Sequence, residues 1–553
     1  MVRKFLQRIA KPVRGLHQAA YWLALLTFAS QVLALVRDRT FAHVFGASAP
    51  LDLYYAAFEI PDLVFTLVAS LVSAYVLIPR IASDSEEEAR TLISHASSFL
   101  LIFGGAIAAV LAFIAPSVLF RIFPTFAVSQ YADAFVLLVR LLLLQPILLG
   151  ISGIFASVTQ VHRRFVLYAL SPVLYNLGII FGAVALYPRF GLVGIGYGVL
   201  LGAFAYLIIH VPIVAGARLM PRLVWPSWRI VGPIMRDSVP RTLALGVGSA
   251  VGFAITILAA RAGHGIISVF TFATNLEAVP LALIGSSYAV AAFPVLSELS
   301  GKGDREEFTK VLSAAARHLV LWSVIVFGLA IVLRAHLVRV VLGTGRFNWD
   351  DTRLTAATFA ILIIALAAQG LILLLSRALY AAKQSWRPLI YQLIGGAVSV
   401  VVAAAGLYYL HRATDTLSLF GTIFRVGDVT GNIVLVFAVA VVLGQLVTAG
   451  FLLLAMRSVA PGFNRSLARP FAEGVIATFL GSVAAYATLS VMGNIEPLTS
   501  LVAVLTHGFV AGIVGLVVVA SALALFGNEE FRDMRAALHR FAKARILPAF
   551  GAS

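Results

Sequence analysis

Apolar stretches recur from one end of the chain to the other, separated by short polar runs. Each is long enough for a helix that crosses a bilayer, which takes about 20 residues. The pattern predicts about fourteen such helices, near 21–45, 53–81, 91–115, 130–158, 166–187, 191–215, 240–261, 265–297, 312–334, 353–381, 388–410, 432–456, 470–492 and 500–526. The runs are continuous rather than alternating, which speaks against a membrane β-barrel. The expected fold class is an all-α polytopic membrane protein.

The pattern is also written twice. Pro172-Val-Leu-Tyr175-Asn176 and Pro388-Leu-Ile-Tyr391-Gln392 lie 216 residues apart. Ile78-Pro79-Arg80 runs into the acidic stretch Asp84 to Glu88, and Phe293-Pro294-Val295 runs into Asp304 to Glu307, with the prolines 215 residues apart. Two modules follow, residues 15–216 and 240–456, with a cytoplasmic amphipathic crossover over 217–239. A further pair of helices (470–526) and a basic cytoplasmic tail (527–553) complete the chain. Duplicated helical modules in a bilayer point to a transporter whose path lies where the copies meet.

Composition agrees: 61% of the 553 residues are hydrophobic and 12% charged. The net charge of +17 would fit nucleic acid, but its distribution does not. With a cytoplasmic N-terminus, 29 of the 41 basic residues fall on one side of the membrane and nine in the opposite loops. That is the positive-inside bias, so both termini are expected in the cytoplasm. The tail from Arg532 to Arg545 would lie on anionic headgroups or be solvated. No cysteine is present, which excludes disulfides and thiolate chemistry. No H-E-x-x-H or G-x-S-x-G motif occurs, and no metal ligands or cofactor are expected beyond a coupling cation or proton.

Polar residues inside spans are costly and tend to face protein or water. In the second span Asp52, Tyr55, Glu59, Asp62, Thr66 and Ser73, with Ala69 and Ser70 between, share one helical face. Glu59 and Asp62 read as lining a watery path or as carboxylates neutralised by a buried partner or a proton. Pro61 removes a backbone donor within that stripe and is expected to act as a hinge. The first span presents Thr27, Ser30, Gln31, Ala34, Arg37 and Asp38. Arg37 reads equally as a substrate ligand or as the structural partner of Asp38, Asp52 or Glu59. Thr271, Asn275, Ala278, Ala282, Gly285 and Ala289 form a stripe suited to close helix packing, with Glu277 one step off it and near a helix end. The glycines from Gly191 to Gly202 match no phosphate-loop spacing and read as helix packing. His210 and His264 are expected at the interface, and Asp350-Asp351 in a solvated loop.

Three further sets of residues carry a resemblance. They are Val32-Leu-Ala-Leu-Val-Arg37-Asp38 with Phe45-Gly46-Ala47, Asp52 and Ile60-Pro61; Ile154-Phe-Ala156 with Arg164-Phe165 and Ala169 to Asn176; and Leu342 to Phe347 with Arg377-Ala-Leu-Tyr380-Ala381 and Pro388. In this order and spacing the chain resembles the MurJ (MviN) lipid II flippase family of the multidrug/oligosaccharidyl-lipid/polysaccharide exporter superfamily. The resemblance implies two pseudo-symmetric six-helix lobes in a V, plus two C-terminal helices forming a groove for a lipid tail. It implies alternating access, and a polyprenyl-pyrophosphate-linked peptidoglycan precursor carried from inner to outer leaflet of a bacterial inner membrane. A cationic cavity would hold the pyrophosphate through charge-assisted hydrogen bonds. Against that pattern Arg37, Asp38 and Asp52 are kept. Gln31, Phe65 and Asn275 stand where the family carries arginine, Glu59 where it often carries lysine, and Gln384 where it carries an acid.

The expectation is therefore a transporter, not an enzyme: a lipid II flippase of this type with a divergent cavity, monomeric and embedded in the bilayer. Substrate would meet Arg37, Gln31, Asp38, Asp52 and Asn275, while Glu59 and Asp62 couple transport to an ion gradient or the membrane potential. The alternatives are a flippase for another polyprenyl-linked saccharide or an exporter of the same superfamily, and a non-transporting scaffold of a cell-wall complex.

Overall fold

A computed structural model describes residues 16–68, 74–83, 85–410, 421–493 and 500–536. Ala69, Ser70 and Ser73 of the second span's stripe, residues 411–420 of the expected outer loop, the first basic residues and the tail beyond 536 lie outside the described residues. Helices account for nearly all of the rest: α1 (Leu16–Phe45), α2 (Ala49–Val68), α3 (Ala74–Ser83), α4 (Glu86–Phe99), α5 (Gly105–Ile122), α6 (Ala132–Leu142), α7 (Gln145–Val161), α8 (Phe165–Phe181), α9 (Leu192–Ile208), α10 (Trp228–Ala262), α11 (Ile266–Pro280), α12 (Ser287–Lys302), α13 (Arg305–Leu342), α14 (Trp349–Leu362), α15 (Leu366–Ala381), α16 (Trp386–Leu410), α17 (Val434–Val459), α18 (Ala468–Met492) and α19 (Leu501–Leu525).

Among the described residues, twelve helical stretches are long and apolar enough to cross a membrane. The apolar pattern predicts about fourteen; α1 and α2, which cover the first two predicted spans, are not among these twelve. The chain is thus an all-α, multi-pass membrane protein. It divides into two compact units, Met1–Thr271 with Thr344–Asp351, and Phe272–Gly343 with Thr352–Ser553.

In the first unit Leu77, Ile93, Phe99, Ile154, Val158 and Ile234 form a buried core under α3, α4, α7 and α10. In the second, Leu312, Leu319, Leu374, Leu379, Leu452 and Met456 do the same for α13, α15 and α17. The final pair, α18 and α19, packs on the middle of α13 through Leu321, Ile325, Leu329, Ala477, Ala485 and Val519.

Both acidic stretches of the repeat open helices. Ser85 and Glu88 form a reciprocal capping box on α4, with Ser85 N donating to Glu88 Oε2 at 3.0 Å. Asp304 accepts from Glu307 N at 3.0 Å to cap α13. The preceding prolines lie inside helices, Pro79 in α3 and Pro294 in α12.

Within the segment read as a crossover over 217–239, α10 begins at Trp228; it runs to Ala262, and its membrane-length apolar stretch starts at Thr242. Pro61 lies inside α2, which continues on both sides of it. The irregular turns lie elsewhere, as π segments at Leu100–Gly104, Gly182–Leu186 and Leu281–Ser286 and a 3₁₀ turn at Ile363–Ala365. His210 is fully buried, and its two ring nitrogens meet Thr159 Oγ1 and Ser171 Oγ at 3.0 Å each.

Candidate functional site

The glycines of the sixth span set the site's floor. Gly194, Gly198 and Gly202 on α9 face Leu186, Gly182, Gly178 and Tyr175 so closely that a Cβ on Gly178 or Gly198 would overlap the opposite backbone. Small residues permit this approach, and it fixes α8 beside α9. The register places Tyr175 and Asn176, the end of the first repeated motif, toward α1.

There Asn176 meets Arg37. Arg37 donates through Nε and Nη2 to Asp38 Oδ1 at 3.0 and 2.8 Å, and through Nη1 to Asn176 Oδ1 at 3.3 Å. Asn176 Nδ2 donates to Pro172 O, which holds the amide in this orientation. The Asp38 side chain is 3% exposed but that of Arg37 is 22% exposed, so part of the guanidinium fork stays open. Tyr54 and Tyr55 of α2 and Tyr175 of α8 stand within electrostatic range of Arg37, and Gln145 Nε2 donates to Tyr175 Oη at 3.0 Å.

The stripe on α2 is divided between two tasks. Glu59 accepts from Thr256 Oγ1 at 2.5 Å, and Thr66 lies 3.1 Å from Ser249 Oγ, so this side of α2 is zipped to α10. Asp62 is exposed, with Glu59, Tyr54 and Tyr175 as its electrostatic neighbours. It is the stripe's open carboxylate.

Asp52, read as a substrate contact, is engaged at a helix start. It is 1% exposed and accepts from Gly265 N at 2.5 Å, Ser268 N at 2.8 Å and Ser268 Oγ at 2.6 Å. These bonds satisfy donors at the start of α11, which otherwise have no helical acceptor. Asp38 is likewise committed to Arg37 rather than offered to a ligand. Gln31 is half-buried on α1. Asn275 is half-buried on α11 in the second unit, and Glu277 lies three residues before Pro280, where α11 gives way to a π segment.

Two motifs that are far apart in sequence form one contact. Gly46, at φ +64°, lies against Arg346 O, and Arg346 N donates to His43 O at 3.1 Å. His43 Nδ1 lies 3.0 Å from Thr344 Oγ1. Asp351, expected in a solvated loop, accepts from Asn348 N at 3.1 Å and Ala47 N at 3.4 Å. Sequence reasoning missed Thr256, Ser249, Gln145 and Ser268, which are lone small or neutral polar residues in apolar surroundings. Asn176 stood in plain view within a repeated motif, and its replacement by Gln392 in the second copy was the signal that the copies differ in use.

A twice-written helical bundle with an arginine–carboxylate cluster held inside one copy defines an exporter-type membrane transporter. A family model described as "Lipid II flippase MurJ" matches residues 41–506, and the chain belongs to that family. A probable lipid II flippase MurJ of Thermotoga maritima is 26% identical over 379 residues, covering 68% of this chain and 76% of the relative. Among solved structures, a lipid II flippase MurJ in an inward closed conformation superposes with TM-score 0.73 at 18% identity, over 93% of this chain and 99% of that one. An inward-facing multidrug resistance MATE family transporter of the MOP superfamily gives TM-score 0.64 at 17% identity, over 80% and 99%. At these identities the structural likeness speaks for the fold alone.

Proposed function

We propose that this chain flips lipid II, carrying a polyprenyl-pyrophosphate-linked peptidoglycan precursor from the inner to the outer leaflet of a bacterial inner membrane by alternating access. The observation that carries the reading is the family match across residues 41–506. The open edge of the Arg37 fork supports it, because a guanidinium with unused donors suits a pyrophosphate oxygen. Gln31 and Asn275 are the neutral polar contacts in this reading. Asp62 exchanges a cation or proton, and Glu59 joins it when α2 and α10 part. Pro61, which removes one intrahelical bond, marks where α2 yields. Both termini lie in the cytoplasm and the chain works as a monomer.

The cluster holds one arginine against Asp38, Glu59 and Asp62, an excess of acid. That favours a second reading, in which the cargo is another polyprenyl-linked saccharide with a less anionic headgroup. Native mass spectrometry of the purified chain with lipid II and with an uncharged polyprenyl glycolipid separates the two. Preferential retention of lipid II, lost in the double variant Arg37→Ala/Asp38→Ala, is the expected result. Equal retention by wild type and double variant overturns the assignment of Arg37, and retention of the uncharged lipid alone overturns the cargo.

A further inference from the structure

Glu277 lies inside α11, in the second unit, and is 3% exposed. Its hydrogen-bond partner is Gln369, whose Nε2 donates to Glu277 Oε1 at 2.7 Å. No cation is paired with Glu277 among the described residues. A carboxylate in an apolar interior with one neutral donor is costly, and such a group is retained where it does something.

Both helices that carry this pair are irregular beside it. Three residues after Glu277 comes Pro280, and the π segment Leu281–Ser286 follows directly. Four residues before Gln369 the 3₁₀ turn Ile363–Ala365 breaks the run from α14 into α15. Gly285 of the π segment sits against Gly370, where a Cβ would come within 3.0 Å of the Gly370 Cα. Mid-helix π and 3₁₀ turns recur at functional hinges. Here two of them flank one buried acid, across a contact smooth enough to slide.

We propose that Glu277 takes up and releases a proton, and that this exchange shifts the helix pair Ile266–Lys302 and Trp349–Ala381. On uptake an O–H bond forms at the carboxyl, which stays neutral beside Gln369. On release the proton passes to water, and the bare carboxylate draws the π segment away from α15 toward solvation. A metal ion fits poorly, because hard cations need several oxygen ligands and the amide offers Glu277 its N–H side. The charged and titratable groups on the elements packed around the π segment do not reach Glu277. Tyr288 of α12 stacks on His318 of α13 with ring centroids 5.7 Å apart. Arg317 of α13 pairs with Glu529 and Glu530. Arg377 lies eight residues beyond Gln369 on α15, about 12 Å along the axis.

The proposal leans on the transport reading only for what the proton drives. Its test is pH-difference infrared spectroscopy of the purified full-length chain in lipid nanodiscs without substrate. Wild type is expected to show a carboxyl C=O band that appears in acid and vanishes in alkali. Glu277→Gln, which keeps the side chain's shape, removes that band, while Asp62→Asn leaves it. Gln369→Leu keeps the band and shifts its midpoint, as a positioning residue should. Hydrogen exchange over 281–286, corrected for the intrinsic rate, depends on pH in wild type and not in Glu277→Gln. Full retention of the band in Glu277→Gln overturns the proposal, as does a band that responds to added sodium at fixed pH but not to pH. Loss of the band together with failure to retain lipid II leaves the proton site standing with a different cargo. Persistence of the band with lipid II retained leaves the flippase reading without this site.

Discussion

At the scale of single residues, three acids of the first two helices have three different uses. Asp52 is a cap, Asp38 a counter-ion and Asp62 an open group. Replacing Asp52 by alanine strands two backbone donors and a hydroxyl in a dry setting, at about 1–3 kcal/mol per unsatisfied group. Asp52→Ala should lower the thermal unfolding midpoint in detergent by several degrees, with Asp52→Asn milder; an unchanged midpoint would refute the cap. Arg37→Ala withdraws the cation from a carboxylate whose side chain is 3% exposed, and breaking such a pair costs about 3–5 kcal/mol. The double variant Arg37→Ala/Asp38→Ala is expected to recover most of that stability in the same melting assay while staying inactive. Periodicity found the faces these residues occupy, because spacing alone decides a face. It could not tell a cap from a ligand, since that depends on which backbone ends beside the carboxylate.

Helix pairs show how the two copies diverged. In the first unit α8 and α9 meet through Gly178, Gly182, Gly198 and Gly202; in the second α16 and α17 meet through Gly395, Ser399, Gly444 and Thr448. The packing device is shared, but the motif residues above it are not used alike. Asn176 binds Arg37, whereas Tyr391 stacks on Phe451 with centroids 5.5 Å apart. Gly198→Leu should therefore abolish folded protein, as judged by gel filtration, because backbone rather than a movable side chain stands in the way. In the loop that precedes α17, Asp428 is clasped by Arg353 through Nη1 and Nη2 at 2.8 and 2.5 Å, and Arg353 also binds Arg425 O. The Arg353 guanidinium holds the Asp428 carboxyl below the usual carboxylate range. The clasp is therefore in place above the ordinary aspartate pKa and is lost as pH falls through the depressed value. Exchange protection over 421–433 should persist into mild acid in wild type and be missing even at neutral pH in Arg353→Ala. The helices themselves were legible as long apolar runs. Their π and 3₁₀ turns were not, since these arise from packing rather than from local composition.

For the whole molecule, the repeat and the motif order pointed to the family before any coordinate did, and residues 41–506 match it. The division into units was less legible, because α10 begins inside the segment read as a link and its Thr256 and Ser249 bind α2. Cargo depends on how one arginine competes with its acidic neighbours, and growth reads that directly. The decisive measurement is complementation of a bacterium depleted of its own lipid II flippase, with expression and membrane insertion verified. The account predicts that wild type restores growth and that Arg37→Ala/Asp38→Ala does not. A well-inserted wild type that never restores growth would contradict it.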